Sequence, residues 1–267
     1  MNLEQNRRVW DAEFDWRAER DGEDWSLPWG DSETQWTSAL LPRIRRFVPT
    51  GTILEIGPGR GRWTRFLKDY CERLIIVDLS PACIEACRAR FGSDGHIAYH
   101  VNDGVSLEMV PDHSVDFVFS FDSLVHAEPR VIDAYLSLLA RKLTAAGAGF
   151  VHHSNLGAYR WLTWLRRLSR GPLKTVVPRV LLLFIDEAWR DRSMTAKRFR
   201  ASCLRSGLTC TAQELVNWVG TSRLIDCMST FRPAHAVPAA SPRVVRNRQF
   251  MDEAARAKRS TVRVQTP

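Results

Sequence analysis

The sequence predicts one doubly wound α/β domain around a mostly parallel seven-stranded sheet, with an N-terminal cap and an inserted helical lid. Short apolar strands alternate with amphipathic helices between residues 51 and 153, the rhythm of a parallel sheet covered on both faces. The 267 residues are 45% hydrophobic and 25% charged, an ordinary globular mixture with enough apolar side chains for a sizeable core. That excludes disorder along the whole chain. The longest unbroken apolar run, Val180 to Ile185, falls far short of the roughly 20 residues a membrane-spanning helix needs.

Residues 1–48 read as cap helices, because Trp10 to Trp36 is acidic and rich in tryptophan. Residues 49–233 form the main domain. Strands are expected at Thr52 to Ile56, Arg73 to Val77, Ile97 to Val101, Val115 to Ser120 and Gly149 to His153. Helices are expected at Arg62 to Tyr70, Pro81 to Phe91 and Arg130 to Leu143, the second with Ser80 as N-cap and Pro81 in its first turn. Right-handed crossovers make the sheet doubly wound. Beyond His153 the rhythm changes: WLTWLRRLSR and VLLLFIDEAW, separated by Gly171-Pro172 and Pro178, predict a helical lid at about 157–190. Thr195 to Ser206 reads as a helix, followed by strands at Leu208 to Leu215 and Arg223 to Phe231 that pair antiparallel at one sheet edge.

The net charge of +8 is unevenly placed. From Ala240 onward there are seven basic and two acidic residues, so residues 234–267 are expected to be a basic, flexible, solvated tail rather than a nucleic-acid arm. The opening MNLEQNRRVWDAEFDW is polar and charged, without the pattern of a secretory leader. Six cysteines, Cys71, Cys83, Cys87, Cys203, Cys210 and Cys227, are scattered without a CxxC pair. Both features predict a cytoplasmic protein with core-packed thiols.

The strongest motif is Ile53-Leu54-Glu55-Ile56-Gly57-Pro58-Gly59-Arg60-Gly61-Arg62-Trp63, a strand that ends in a glycine-rich turn and feeds a helix. Glycines permit the backbone angles and close ligand approach that larger side chains block. Asp78 ends the second strand 21 residues after Gly57, where a carboxylate can accept both hydroxyls of an adenosine ribose. A dinucleotide enzyme remains open at this point. The GxGxG spacing, the acidic Glu55 before the turn and Asn102-Asp103-Gly104 after the third strand favour S-adenosylmethionine (SAM) instead. There Asp103 could accept the adenine amino group.

The set LEIGPGRG, VDLS, NDG and FVFSFDSLVH resembles the class I SAM-dependent methyltransferases, with their Rossmann-like fold, across about residues 50–155. The resemblance implies that Glu55, Gly57, Pro58, Gly59, Gly61, Trp63, Asp78, Leu79, Asn102, Asp103, Gly104, Ser120 and Phe121 hold SAM, with S-adenosylhomocysteine as product. A narrower resemblance rests on EDWSLPWG, SFDSLVHAEP, GFVHHSNLGAY, RSMTAKRFRASCLRSGL, Gln213-Glu214, Asn217-Trp218 and LIDCMSTF. Together these are similar to bacterial sugar O-methyltransferases of the methylmannose-polysaccharide 1-O-methyltransferase kind, which implies a carbohydrate substrate. The tail from Ala234 and the arginine-rich stretch at 160–180 depart from that pattern.

Methyl transfer to a hydroxyl needs an aligned oxygen and a group to take its proton. His152 and His153 end the fifth strand, where parallel strands open into the ligand crevice. Strand alternation sends neighbours to opposite faces, so one of the pair is the expected base; His126 is a second candidate, or a residue shaping the methionine pocket. Asp122 or Glu214 would orient the imidazole. Asp122, Glu128, Glu214 and Asp226 could instead hold magnesium, which suits oxygen ligands, although no clustered ligand signature appears and Asp191 and Asp226 read first as salt-bridge partners. Trp29 and Trp218 are the tryptophans expected to touch substrate, with His126, Asn155 and Tyr159 beside them. A homodimer is left open. The rival readings are a methyltransferase of a non-sugar small molecule and a non-catalytic nucleotide-fold protein with a nucleic-acid-binding tail.

Overall fold

A computed structural model describes residues 2–160, 189–218, 222–237 and 241–264. Eight strands build one sheet: β1 (Thr50–Ile56), β2 (Cys71–Asp78), β3 (Ile97–Val101), β4 (Val115–Ser120), β5 (Leu143–Ser154), β6 (Leu208–Val216), β7 (Asp226–Pro233) and β8 (Arg243–Asn247). Their order is β3-β2-β1-β4-β5-β7-β6-β8. The first five are parallel, β7 is antiparallel to β5 and β6, and β8 runs parallel to β6. The order reverses between β1 and β4, which opens a crevice beyond their C-terminal ends.

Alternation of side chains gives the sheet two cores. One face carries Ile53, Leu74, Ile76, Phe117, Phe119 and Phe150, packed under the tryptophans Trp29, Trp36 and Trp63. The other carries Leu54, Ile56, Ile75, Val77, Val118 and Val151. Helices α1 (Leu3–Arg8), α2 (Ser32–Gln35) and α3 (Leu41–Ile44) belong to the cap, and α2 is capped by Asp31, whose side chain accepts from Thr34 N at 2.6 Å. After α4 (Thr64–Leu67), α5 (Pro81–Phe91) starts as expected, with the Ser80 hydroxyl accepting from Cys83 N at 3.2 Å. α6 (Pro129–Lys142) and α7 (Ala196–Arg205) cover the second face.

Three expectations are corrected. Among the described residues the sheet has eight strands, not seven. The β6–β7 pair is antiparallel as expected, yet it is not the sheet edge, because β8 pairs with β6. Both added elements come from the segment expected to be a flexible tail: α8 (Phe250–Val264) follows β8 and lies on the first face. Phe250 and Ala254 are fully buried there, and Lys258 Nζ donates to Leu27 O at 3.0 Å. An apolar stripe along one side of the helix outweighs its charge. The expected lid lies largely outside the described residues. Among those described, no helix is long and apolar enough to cross a membrane, and five of the six thiols are buried, with Cys71 half-buried.

Candidate active site

The glycine turn leaves β1 with Gly57 at φ 71°, Gly59 at 56° and Gly61 at 86°. Gly57 N donates to Val77 O at 2.8 Å, which ties the turn to β2. A Cβ at Gly57 would collide with the Ser123 side chain, and one at Gly61 would stand 2.5 Å from Phe91 Cε2. The sequence needs glycine there for both backbone angle and room.

Asp78 faces the turn. Its carboxylate accepts from Gly59 N at 3.1 Å and Ser80 N at 2.9 Å, and burial pushes it up to about 6 against those donors. Glu55 lies deeper, accepts from the Thr64 hydroxyl at 2.6 Å and is pushed up to about 8 by burial. Asn102 braces the loop after β3 through Ser106 O at 2.7 Å and Tyr135 Oη at 3.0 Å. Exposed Asp103 is held below the usual carboxylate range by the N–H of Val105, joined by that of Ser106.

These pieces surround a cavity. Of the expected cofactor residues, Gly57, Pro58, Gly59, Asp78, Leu79, Gly104 and Phe121 line it. Glu55, Gly61, Trp63, Asn102, Asp103 and Ser120 do not; they brace its walls or lie behind them. The sequence reading missed the fourth wall, which is the N-terminal segment: Leu3, Asn6, Trp10, Trp16, Asp21 and Trp25 all face the cavity. Asp11 fastens that segment by accepting from Ser80 Oγ at 2.7 Å and Ala82 N at 3.2 Å, and Asp21 pairs with Arg60 at 2.9 Å. The crowd of tryptophans was its one sequence signal.

A second cavity adjoins the first and shares Trp10, Trp25, Asp122 and His126 with it. Its remaining wall includes Phe14, Glu19, Asp24, Trp189, Arg190 and Trp218. Trp10 stands 5.4 Å from Trp189 and 5.1 Å from His126, centroid to centroid. Trp218, expected to touch substrate, lines the second cavity. Trp29 does not: it is 1% exposed and packed between Trp218 and Phe250.

The three histidines separate by environment. His153 points to the second face, with Nδ1 2.9 Å from Ser154 O, Nε2 2.8 Å from Ser229 Oγ and its ring stacked on Phe199. Burial pushes it down to about 4. His152 points to the first face and is fully buried, with Nδ1 3.2 Å from Asp122 Oδ1 and Nε2 3.4 Å from Asp226 Oδ2. Half-buried His126 lines both cavities. Its Nδ1 meets the Trp189 carbonyl, so that nitrogen carries the hydrogen. Burial pushes the ring down to about 4. It is therefore neutral at neutral pH, and no described residue bonds Nε2, which keeps its lone pair.

Other expected site residues sit elsewhere. Glu214 bonds Arg43 at 2.7 and 2.8 Å and accepts from Asn247 Nδ2 at 2.8 Å; the carboxylates beside His152 are Asp122 and Asp226. Asn155 is buried, donating from Nδ2 to Leu224 O at 2.7 Å and accepting from Ala196 N at 2.9 Å. Tyr159 accepts from Leu224 N at 3.0 Å. Glu128 pairs with Arg130 at 2.6 Å. Among the described residues no three His, Cys, Asp or Glu side chains converge to hold a metal ion.

Residues 53–147 match the family described as methyltransferase domain. The chain is 38% identical over 69 residues to an rRNA adenine N-6-methyltransferase of Streptomyces fradiae, covering 25% of this chain and 22% of that protein. It is 36% identical over 75 residues to nodulation protein S of Bradyrhizobium diazoefficiens, covering 28% and 36%. The chain thus spans well under half of either relative. The solved DhpI–SAM–HEP complex superimposes with a TM-score of 0.54 at 17% identity, over 86% of this chain and 98% of that one. Residues 53–147 thus resemble a methyltransferase domain, and the chain shares the fold of the DhpI structure.

Proposed function

We propose that the protein transfers a methyl group from SAM to a hydroxyl of a sugar or oligosaccharide and releases S-adenosylhomocysteine. The 1-hydroxyl of a methylated mannoside is the first acceptor to test. The observation that carries methyl transfer is the left-handed glycine turn facing buried Asp78 across one cavity. Gly57, Pro58 and Gly59 leave room for the methionine moiety, Asp78 takes the ribose hydroxyls, and Leu79, Gly104 and Leu3 flank the adenine. SAM brings an electrophilic sulfonium methyl. The chain's own task is to orient the acceptor oxygen and remove its proton.

The second cavity supports a carbohydrate acceptor. Rings of Trp10, Trp25, Trp189 and Trp218 offer faces to the apolar side of a sugar, while Glu19, Asp24 and Arg190 offer polar partners to hydroxyls. Of the three histidines, His126 fits the base best, since its ring lines both cavities and Nε2 retains a lone pair.

The test is calorimetric titration of the protein with SAM, with and without magnesium, followed by mass spectrometry after incubation with a methylated manno-oligosaccharide. SAM binding that Asp78→Ala weakens, with a mass gain of one methyl on the sugar, is the expected result. Binding without that gain refutes the acceptor; absence of binding refutes the cofactor.

A further inference from the structure

Neither nitrogen of His152 is open to an acceptor: Nδ1 accepts from Asp122 N at 3.3 Å, and Nε2, buried without a hydrogen bond among the described residues, has the Asp226 carboxylate 3.4 Å away. Its ring is fully buried, with Phe121 4.5 Å away at 26° and Trp218 5.4 Å away at 31°, centroid to centroid. Two carboxylates face its nitrogens, Asp122 from the loop after β4 and Asp226 from the start of β7. Each carboxylate has an arginine behind it. Arg62 Nη2 donates to Asp122 Oδ2 at 2.6 Å, and Arg190 grips Asp226 with two hydrogen bonds of 2.6 and 2.7 Å.

The result is a row, Arg62, Asp122, His152, Asp226, Arg190, that spans the site, with Arg62, His152 and Asp226 buried and Asp122 and Arg190 half-buried. Arg62 follows the glycine turn and lines the first cavity. Asp122 lines both, and Arg190 lines the second. Asp122 is also held at φ 61°, a left-handed angle that aspartate adopts at a cost unless its surroundings fix it.

We propose that His152 is a positioning residue, an imidazolium that joins Asp122 to Asp226 and so sets the walls of the two cavities relative to each other. The inference deepens the methyl-transfer reading and assigns His152 a role other than base. The two aromatic rings beside it, themselves 6.4 Å apart, favour a cation. Burial alone would lower the ring's affinity for a proton, but the two carboxylates outweigh it and raise it. The same row holds Asp122 and Asp226 below the usual carboxylate range, against their burial.

Heteronuclear NMR of the histidine ring nitrogens in the full chain is the direct test. A protonated His152 ring at neutral pH is expected, and a neutral ring overturns the proposal whether or not the protein binds SAM. Steady-state kinetics of His152→Gln supply the second readout. A positioning role raises the acceptor KM about tenfold and weakens SAM binding, with a smaller effect on kcat. A loss in kcat of about 100-fold or more at unchanged KM and SAM affinity marks a general base and overturns the proposal. Failure of the methyl-transfer reading shows differently, as wild-type protein that binds no SAM while its His152 ring is still charged. If His152→Gln does not fold, the wild-type spectrum decides.

Discussion

Gly57→Ala separates what the cofactor turn demands from what any left-handed residue demands, because Gly207→Ala provides a matched control. Gly57 has φ 71° and Gly207 has φ 77°, but a Cβ at Gly207 meets nothing within 4 Å. Gly207→Ala should therefore cost only the left-handed strain, roughly 1–2 kcal/mol. At Gly57 the new methyl would also overlap the Ser123 hydroxyl and stand 2.6 Å from Ser123 Cβ. Ordinary carbon contacts are about 3.5–4.0 Å, so the Ser123 backbone must retreat by about 1 Å. With packing strain added, the total loss is about 3 kcal/mol or more. Asp122 is Ser123's neighbour, and a displacement of that size in an active-site wall is worth about 100-fold in function. Thermal melts and SAM calorimetry read both quantities. Gly57→Ala should bind SAM about 100-fold more weakly, Gly207→Ala should bind normally, and Gly57→Ala with Ser123→Gly should regain affinity while keeping the strain. Wild-type affinity in Gly57→Ala, or no recovery in the double variant, refutes the reasoning.

Two further predictions concern side chains whose roles the fold reassigns. Glu55 is raised from 4.5 to about 8 by burial, so the folded state holds its proton more tightly than the unfolded chain and the residue's contribution to stability falls as pH climbs across that window. Glu55→Gln should match wild type near pH 4.5 and be more stable than it by pH 9 in denaturant titrations; a pH-independent difference contradicts this. Glu214→Ala breaks the bond to Arg43 and should cost roughly 1–3 kcal/mol while leaving SAM affinity and kcat unchanged. A large kcat loss at normal stability would return Glu214 to the active site.

Features written over a few consecutive residues were legible in the sequence. The strand–turn–helix of Ile53 to Trp63, the Ser80 cap and the apolar rhythm from residue 51 to 153 depend on neighbours along the chain, and all appear in the fold with shifted ends. Composition misled where it averaged over a helix: the tail was read from its charge, yet Phe250, Met251, Ala254 and Ala257 recur on one side of α8 and pack against the core.

Conservation of chemistry across distance was beyond a linear reading. Alternation alone established that His152 and His153 part company, but which of them packs on the first face depended on which sheet face α7 covers. Glu214 and His152 lie in line across β7, opposite Met228 from either side, yet Arg43 reaches Glu214 first. Asp226 and Asp122 meet one imidazole from positions 104 residues apart. The sequence by itself determined the parallel core, the glycine turn and the placing of Asp78, because hydrogen-bond geometry and backbone freedom act between near neighbours. Only tertiary structure decided the tryptophan wall over the cofactor cavity, the docking of the last helix and the charge row through His152, because burial and ion pairing are set by whichever distant side chains arrive within about 4 Å.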